Sequence, residues 1–245
     1  MPATKTKEDA LQNLLLSALP ESEFDKIFPA LDLVELEVGD VLWEAEETRH
    51  HVYFPTSALV CLLYESDEGV SVEVGIAGRQ GLLGVATFMV EARMPKRAVV
   101  QSAGHAYRMK AKAVKDEFSH CGDFQDICMA YTQALIAQIS QTAICNQLHS
   151  IEQRLCRYLL INHDHQQSDT FKMTHDQISN VLGVRRESVS LAAAKLRDGD
   201  LIEYSRGKIT LLDREGLETA VCECYGVVKE QYDRILTRYI KTHDA

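Results

Sequence analysis

The fold of the C-terminal third is decided by residues 174–189, which read THDQISNVLGVRRESV. Thr174 and Gln177 have the spacing of a capping box, in which two side chains cap the start of a helix. Gly183 supplies the left-handed conformation that ends this helix. Ser179 is small where two helices cross, the glycine follows four residues later, and a valine follows six residues after the glycine. This spacing predicts a helix-turn-helix.

A second helix is predicted from about Arg185, and its first turns carry polar side chains. Two arginines at a helix N-terminus oppose the helix dipole, so a phosphate or base partner explains them better than stability does. Arginine pairs with guanine, and glutamate accepts from the cytosine amine. Residues 201–212 predict a β-hairpin, or wing, with a basic tip at residues 206–208. The candidate DNA-binding residues are Thr174, Arg185, Arg186, Glu187, Ser188, Ser190, Lys195, Arg206 and Lys208.

The N-terminal half has a different pattern. Apolar residues at helical spacing predict one short helix over residues 8–19, which Pro20 ends. From Val34 to Met109, short β-type runs alternate with turn residues, which predicts an antiparallel barrel or roll. We therefore expect an α+β protein with an N-terminal β-roll.

Residues 123–162 contain no Pro or Gly and predict one long helix or two in succession. Two apolar stripes are expected on it, one packed on the roll and the other on a second copy of the chain in a homodimer; burial within one domain is the alternative. The first stripe consists of Ile144, Leu148, Ile151, Leu155 and Leu159, and the second begins with Cys128, Tyr131 and Leu135. The polar residues 163–169 predict a loop. The expected domains are 1–122 (β-roll with N-terminal helix), 123–162 (dimerisation helix and hinge) and 163–245 (winged helix-turn-helix with C-terminal helix).

The formal net charge of −10 argues against general binding to polyanions. Residues 172–210 differ, since seven Lys or Arg against five Asp or Glu give them a net charge of +2. The basic segment coincides with the helix-turn-helix, which favours double-stranded DNA as partner. No apolar run approaches the ~20 residues that cross a bilayer, and no secretory signal pattern is present. We therefore expect a cytoplasmic protein without a membrane partner.

Seven cysteines occur without a CxxC pair, and only Cys222 and Cys224 lie close together in sequence. Free thiols are the expected state in a chain of this length. A metal or iron–sulfur site needs thiolates clustered in space, which such spacings do not indicate. We therefore expect no metal site and no cofactor.

The order of these parts, and above all residues 182–189 with the sequence LGVRRESV, resembles the CRP/FNR family of bacterial regulators. The resemblance covers nearly the whole chain and implies a cyclic-nucleotide-binding-like β-roll, a dimerisation helix and a winged helix-turn-helix. It also implies that Arg186 and Glu187 read bases, that Ser188 contacts the DNA backbone, and that RNA polymerase is a partner. Leu191 stands where the catabolite activator has a second base-reading arginine, so the operator need not be the same.

The β-roll departs from the cyclic-nucleotide binders of that family, which carry Gly-Glu-Leu followed by Arg-Ser. Residues 81–85 read GLLGV and residues 96–98 read KRA, so the ribose-binding Glu is absent and the Arg lacks its Ser companion. We therefore expect that cyclic AMP does not control this protein. The apolar residues here predict a mostly filled pocket; an unknown acidic effector and no effector at all both stay open. The possible effector pocket consists of Gly84, Val85, Lys96 and Arg97.

Two other classes of function begin from similar parts. A metal-dependent cupin-like enzyme also has a β-roll, but the only HxH, at 163–165, falls in the predicted loop after the long helix. The sequence contains no GxSxG, Walker A or HExxH motif. A protein-interaction module that does not bind DNA would leave the two arginines of the second helix unexplained. We therefore expect a regulator without enzymatic activity.

Overall fold

The computed structural model describes residues 4–66, 68, 71–89, 96–166 and 168–240 of the chain. The helices of the N-terminal part are α1 (Lys7–Ala10), α2 (Leu14–Ser17), α3 (Glu21–Ile27), α4 (Ala86–Met89), α5 (Ala111–Phe118) and α6 (Asp123–Leu148). Its strands are β1 (Leu31–Leu36), β2 (Val41–Trp43), β3 (His51–Pro55), β4 (Leu59–Glu65), β5 (Ser71–Ala77), β6 (Arg97–Ser102) and β7 (Gly104–Lys110). The C-terminal part consists of α7 (Ile151–Gln166), β8 (Thr170–Lys172), α8 (His175–Leu182), α9 (Arg186–Asp198), β9 (Ile202–Ser205), β10 (Lys208–Leu211), α10 (Arg214–Ala220) and α11 (Cys224–Ile240).

The strands of the N-terminal part form two antiparallel sheets. One sheet has the strand order β1-β7-β3 and the other has the order β2-β6-β4-β5. Apolar side chains of both sheets share one buried core, which includes Leu36 and Ala106 from the first sheet and Trp43, Val60 and Ala98 from the second. The predicted α+β class and the antiparallel β-roll are confirmed.

The single N-terminal helix predicted from the sequence is instead two short helices, α1 and α2, separated at Asn13. The side-chain oxygen of Asn13 accepts hydrogen bonds from the backbone N–H groups of Leu15 and Leu16, at 3.1 and 3.2 Å. Its amide nitrogen donates to the carbonyls of Pro55 and Gly81, at 2.8 and 2.9 Å. Asparagine is a favoured helix cap, and here it starts a new helix while holding it to the roll.

The long helical stretch is also two helices, because the backbone is extended at His149 between α6 and α7, with φ −111° and ψ 152°. The first predicted stripe therefore does not lie on one helix. Ile144 and Leu148 on α6 are exposed, at 45% and 73%, whereas Leu155 and Leu159 on α7 are buried. The second predicted stripe is buried in the core of the N-terminal part.

Residues 163–166, predicted as the start of a loop, form the last turn of α7. Their polar side chains have tertiary partners. The carboxylate of Asp164 accepts hydrogen bonds from the Arg214 guanidinium at 2.8 Å and from the Tyr225 hydroxyl at 2.9 Å, and His165 is 3% exposed. Composition indicated solvent exposure, but these partners bury the turn and keep it helical.

The C-terminal domain contains α8 and α9, the antiparallel sheet β8-β10-β9 and α10. These elements share a core with α7 that includes Leu155, Leu159, Ile178, Val189, Leu196, Ile202 and Ile209. Helix α11 packs elsewhere, since its residues Val228, Tyr232 and Ile235 lie in the core of the N-terminal part, which α6 also lines. Among the described residues, no helix combines the length and apolar character that a membrane span needs.

Candidate nucleic-acid interface

Helices α8 and α9 form the predicted helix-turn-helix. Helix α8 begins with a complete capping box: the backbone N–H of Gln177 donates to the Thr174 hydroxyl at 3.2 Å, and the backbone N–H of Thr174 donates to the Gln177 side chain at 2.8 Å. Gly183 ends the helix in the left-handed region, with φ 62° and ψ 39°. The cap fixes the direction of α8, and Thr174 lies exposed at its start, with its hydroxyl engaged in the cap.

The first turn of α9 presents the charged side chains of Arg185, Arg186 and Glu187 to solvent. Arg185 is the N-cap residue, and its side chain makes no capping hydrogen bond. The guanidinium of Arg186 lies 3.5 Å from the carboxylate of Asp176, but the two side chains are 62% and 64% exposed. An exposed pair of this kind is worth about 0–1 kcal/mol, so it yields readily to a phosphate or a base.

Ser190 has a structural role that the sequence did not predict. Its hydroxyl lies 2.9 Å from Nδ1 of His175, and the His175 ring stacks on Tyr204 with ring centroids 4.1 Å apart. Burial, and secondarily the charge of Arg186, lower the pKa of His175 and favour its neutral form. Ser190 therefore helps to hold α8, α9 and β9 together.

Two further candidates on α9 are less open than the first turn. Ser188 is half-buried. Lys195 forms an ion pair with Glu152 of α7 and lies near the end of α9. At 1.5 Å per residue, Lys195 lies about 15 Å along the helix axis from Arg185. The structure therefore places Lys195 apart from the charged first turn.

Strands β9 and β10 form the predicted wing. Arg206 and Gly207 at its tip both have positive φ, at 51° and 73°, which is the geometry of the two-residue turns that join antiparallel strands. Lys208 follows the tip and is exposed.

The structure adds Lys172 to the basic surface, a residue that sequence reasoning did not single out as a contact. Lys172 lies on β8, directly opposite Lys208 in the antiparallel register, and both are exposed. Like charges directly opposite in a sheet are destabilising. An anion between them would relieve the repulsion, so the pair fits a phosphate contact.

A cavity of about 370 Å³ lies between the β-roll and α6, so the prediction of a mostly filled pocket is wrong. Gly84, Val85 and Lys96 line it as predicted, whereas Arg97 does not, because its guanidinium pairs with Glu44 at 3.2 Å. Apolar side chains form most of the wall; they include Trp43, Leu62, Leu83, Val85, Leu135 and Ile139.

Arg49 also lines this cavity and was not predicted from the sequence. Its guanidinium lies over the ring of Trp43, 5.1 Å from the ring centroid. Burial lowers the pKa of Arg49, and burial together with the charge of Arg49 lowers the pKa of Lys96. Two partly desolvated cations therefore face an apolar cavity.

A buried polar network joins the β-roll to α7. The Cys61 thiol lies 2.8 Å from the Glu73 carboxylate, and the side chain of Gln101 donates to the Tyr158 hydroxyl. Burial raises the pKa of Glu73 to about 7, against smaller lowering effects of Cys61 and Arg157. The contact between the two halves of the molecule therefore contains a carboxyl group that is still partly protonated near neutral pH.

All seven cysteines are free, as expected. The structure also brings together residues that lie far apart in sequence: Cys145, His149, Cys222 and Cys224 form one group. Only Cys222 and Cys224 are close together in sequence. The sequence therefore did not indicate this group, which forms when α11 packs on α6.

Residues 153–220 match the model of the Crp-like helix-turn-helix domain. Solved structures with the same fold include FixK2 from Bradyrhizobium japonicum, with a TM-score of 0.65 and 12% identity over 78% of this chain and 98% of that one. A CRP-family transcriptional regulator from Thermus thermophilus has a TM-score of 0.63 and 19% identity over 76% and 95% of the two chains. The c-di-GMP-responsive regulator CLP of Xanthomonas campestris has a TM-score of 0.63 and 12% identity over 79% and 100%. Comparison with curated proteins gives no significant match.

Proposed function

We propose that this chain, which carries a Crp-like helix-turn-helix domain on the fold of CRP/FNR regulators, is a sequence-specific DNA-binding transcriptional regulator and not an enzyme. The observation that carries the proposal is the exposed first turn of α9, where Arg185, Arg186 and Glu187 face solvent within the same domain as a basic wing. Such a helix enters the major groove, and a wing of this kind contacts the backbone beside it.

The proposed roles follow from side-chain chemistry. Arg186 pairs with guanine, Glu187 accepts from cytosine, and Ser188 contacts the DNA backbone. The remaining basic and polar candidates contact phosphates and carry no base preference; they are Thr174, Arg185, Ser190, Lys195, Arg206 and Lys208, to which we add Lys172. RNA polymerase is the proposed protein partner and the cytoplasm the proposed location.

Selection of bound sequences from random duplex DNA tests this proposal. We expect the full-length protein to enrich one motif, and Arg186→Ala to lose base preference at one position of each half-site. Arg197→Ala is the matched control, since Arg197 lies at the other end of α9 and pairs with Asp198 at 2.9 Å. A selection that enriches no motif, or an Arg186→Ala motif identical to that of the unaltered protein, would contradict the proposal.

We further propose that the protein is a homodimer through α6. Four apolar side chains on this helix are exposed by 45% to 73%: Met129, Ile136, Ile144 and Leu148. An exposed apolar stripe on a long helix fits a second copy of the same helix. A two-fold dimer would read an inverted repeat with half-sites about 10 base pairs apart, or a multiple of that spacing.

Light scattering tests the dimer. Ile144→Asp places a carboxylate in the proposed interface, and we expect it to convert a dimer at micromolar concentration to single chains. Leu212→Asp is the control, because Leu212 is 56% exposed and lies outside α6. The dimer is refuted if the unaltered protein has the mass of one chain.

The cavity supports an effector role, with a ligand that is mostly apolar and carries one anionic group. A volume of about 370 Å³ is within the range of small-molecule sites. Arg49 and Lys96 would bind the anionic group, and the apolar wall would bind the rest. Cyclic AMP fits this cavity poorly on chemical grounds, because no carboxylate is among the described residues that line it.

A further inference from the structure

Four potential metal ligands meet where α6 ends and α11 begins. Cys145 lies in the last turn of α6, and His149 is the residue after that helix. Cys222 precedes α11, and Cys224 is its first residue. The three sulfurs and one imidazole nitrogen all lie within 4.8 Å of one another.

The spacing of these atoms matches tetrahedral coordination. Sγ of Cys145 lies 3.6 Å from Sγ of Cys222, and Sγ of Cys224 lies 3.5 Å from Nδ1 of His149. Bond lengths of about 2.3 Å to sulfur and about 2.0 Å to nitrogen, at tetrahedral angles, place neighbouring sulfurs about 3.8 Å apart and a sulfur and nitrogen about 3.5 Å apart. One small cation therefore reaches all four ligands after a shift of about 1 Å in the widest pair.

The surroundings have the features that support a metal site. Cys145, Cys222 and Cys224 are 1%, 4% and 0% exposed, so the sulfurs are shielded from solvent. Nε2 of His149 lies 3.3 Å from the Glu223 carboxylate, the partner that commonly orients a metal-binding histidine. Arg157, 8% exposed, acts electrostatically on Cys145 and Cys224, and its positive charge offsets the net charge of −1 of three thiolates with one divalent cation.

We infer that Cys145, His149, Cys222 and Cys224 bind one Zn²⁺ ion in a Cys₃His site. This ligand set is one of the usual sets of structural zinc sites, and binding releases the three thiol protons to solvent. An iron–sulfur cluster contains at least two irons and spreads its ligands further apart than 4.8 Å. A Cys145–Cys222 disulfide would use two of the four groups and leave the placement of Cys224, His149 and Glu223 unexplained.

The ion would connect the end of α6 to the segment that leads from the DNA-binding domain into α11. Cys145 and His149 lie at the C-terminal end of α6, just before α7 begins. Cys222 and Cys224 lie where the chain passes from α10 of the DNA-binding domain into α11. Zinc would therefore fix the position of the helix-turn-helix domain relative to α6, and zinc should raise the thermal midpoint of unfolding.

Zinc content and cobalt spectroscopy of the reduced full-length protein test the site. We expect one Zn²⁺ per chain after dialysis against a weak chelator, and Co²⁺ alone should give thiolate-to-metal charge transfer and the visible bands of a tetrahedral ion. Cys222→Ser and His149→Gln should each weaken Zn²⁺ binding at least 100-fold in chelator competition, and Glu223→Gln about 10-fold. Cys121→Ser is the matched control, because Cys121 is exposed and outside the group; it should retain one Zn²⁺.

Any of three results would overturn the inference. The reduced protein could retain no Zn²⁺ and give no charge-transfer band with Co²⁺, or it could contain iron and inorganic sulfide in place of zinc. The third result is an equal Zn²⁺ affinity of the unaltered protein and of His149→Gln. His149→Gln covers the case in which Cys222→Ser fails to fold, since it leaves all three buried sulfurs in place. None of these measurements involves DNA, so they stand apart from the test of DNA binding.

Discussion

The surface around Arg186 and the contact between α7 and the β-roll are both polar, but they differ in exposure. At the surface, Arg185, Arg186 and Glu187 lie in water, and the Arg186–Asp176 pair is screened. At the contact, Glu73 is mostly shielded from solvent and accepts a hydrogen bond from the Cys61 thiol. The difference indicates that substitutions at the surface change DNA binding and have little effect on stability, whereas substitutions at the contact change stability and have little effect on DNA binding.

Arg186→Ala should have the largest effect, and it should affect binding alone. Loss of a bidentate contact to guanine costs about 1–3 kcal/mol, so we expect roughly 5- to 150-fold weaker binding to the selected site. The thermal midpoint should stay within about 2 °C of the unaltered value. A large loss of stability in this variant would break the distinction between the two regions.

Glu73→Gln should show the reverse behaviour. The folded protein holds the proton of Glu73 up to about pH 7, whereas the unfolded chain releases it near the ordinary value of 4.5, so this carboxyl lowers stability as pH rises from 4.5 to 7. The variant should therefore gain stability relative to the unaltered protein over that window. Because Glu73 keeps some solvent contact, we expect a gain of about 2 kcal/mol, less than the full shift implies.

Urea unfolding at pH 4.5, 6 and 7.5 measures this difference. His165 acts in the opposite direction, since burial lowers its pKa to about 4, but it is present in both proteins and cancels in the comparison. Affinity for the selected DNA at pH 7.5 should change less than threefold. A stability difference between the two proteins that does not change with pH would show that the pKa of Glu73 is not raised in the folded protein.

Arg49→Ala should have a smaller effect, and it should affect only the binding of ligands in the cavity. The probe is 1-anilinonaphthalene-8-sulfonate, which is apolar and carries one anionic group. Loss of one desolvated cation should weaken its binding about 5- to 10-fold, or about 1 kcal/mol. Arg97→Ala is the control, since Arg97 pairs with Glu44 and does not line the cavity. Equal effects of the two substitutions would place the probe elsewhere.

Lys208→Ala should have the smallest effect. As a phosphate contact of the wing, it should weaken binding a few-fold on every sequence and reduce the slope of log affinity against log salt by about 1. Binding at four salt concentrations, to the selected site and to a scrambled duplex, measures this slope. A loss confined to the selected site would show that Lys208 reads bases.

The DNA-reading elements could be predicted because their signals are local. The capping box at Thr174, the left-handed Gly183 and the hairpin tip at Arg206 each depend on a few neighbouring residues, and the structure confirms the elements they predicted. Lys172 was not predicted as a DNA contact, because β8 has only three residues and forms through pairing with β10.

The other sites depend on tertiary packing. The cavity is lined by segments between Trp43 and Ile139, so no local pattern identified Arg49. Arg97 does not line the cavity although Lys96 does, because successive residues of an extended chain point to opposite sides. The helix break at His149 likewise has no Pro or Gly to mark it.

The most direct test of sequence-specific recognition through α9 is the ratio of affinities for the selected inverted repeat and for a scrambled duplex of equal length and composition. At physiological salt we expect a ratio of at least about 10³ for the unaltered protein, and a ratio at least about 5-fold lower for Arg186→Ala. A ratio near one for the unaltered protein would contradict sequence-specific recognition through α9.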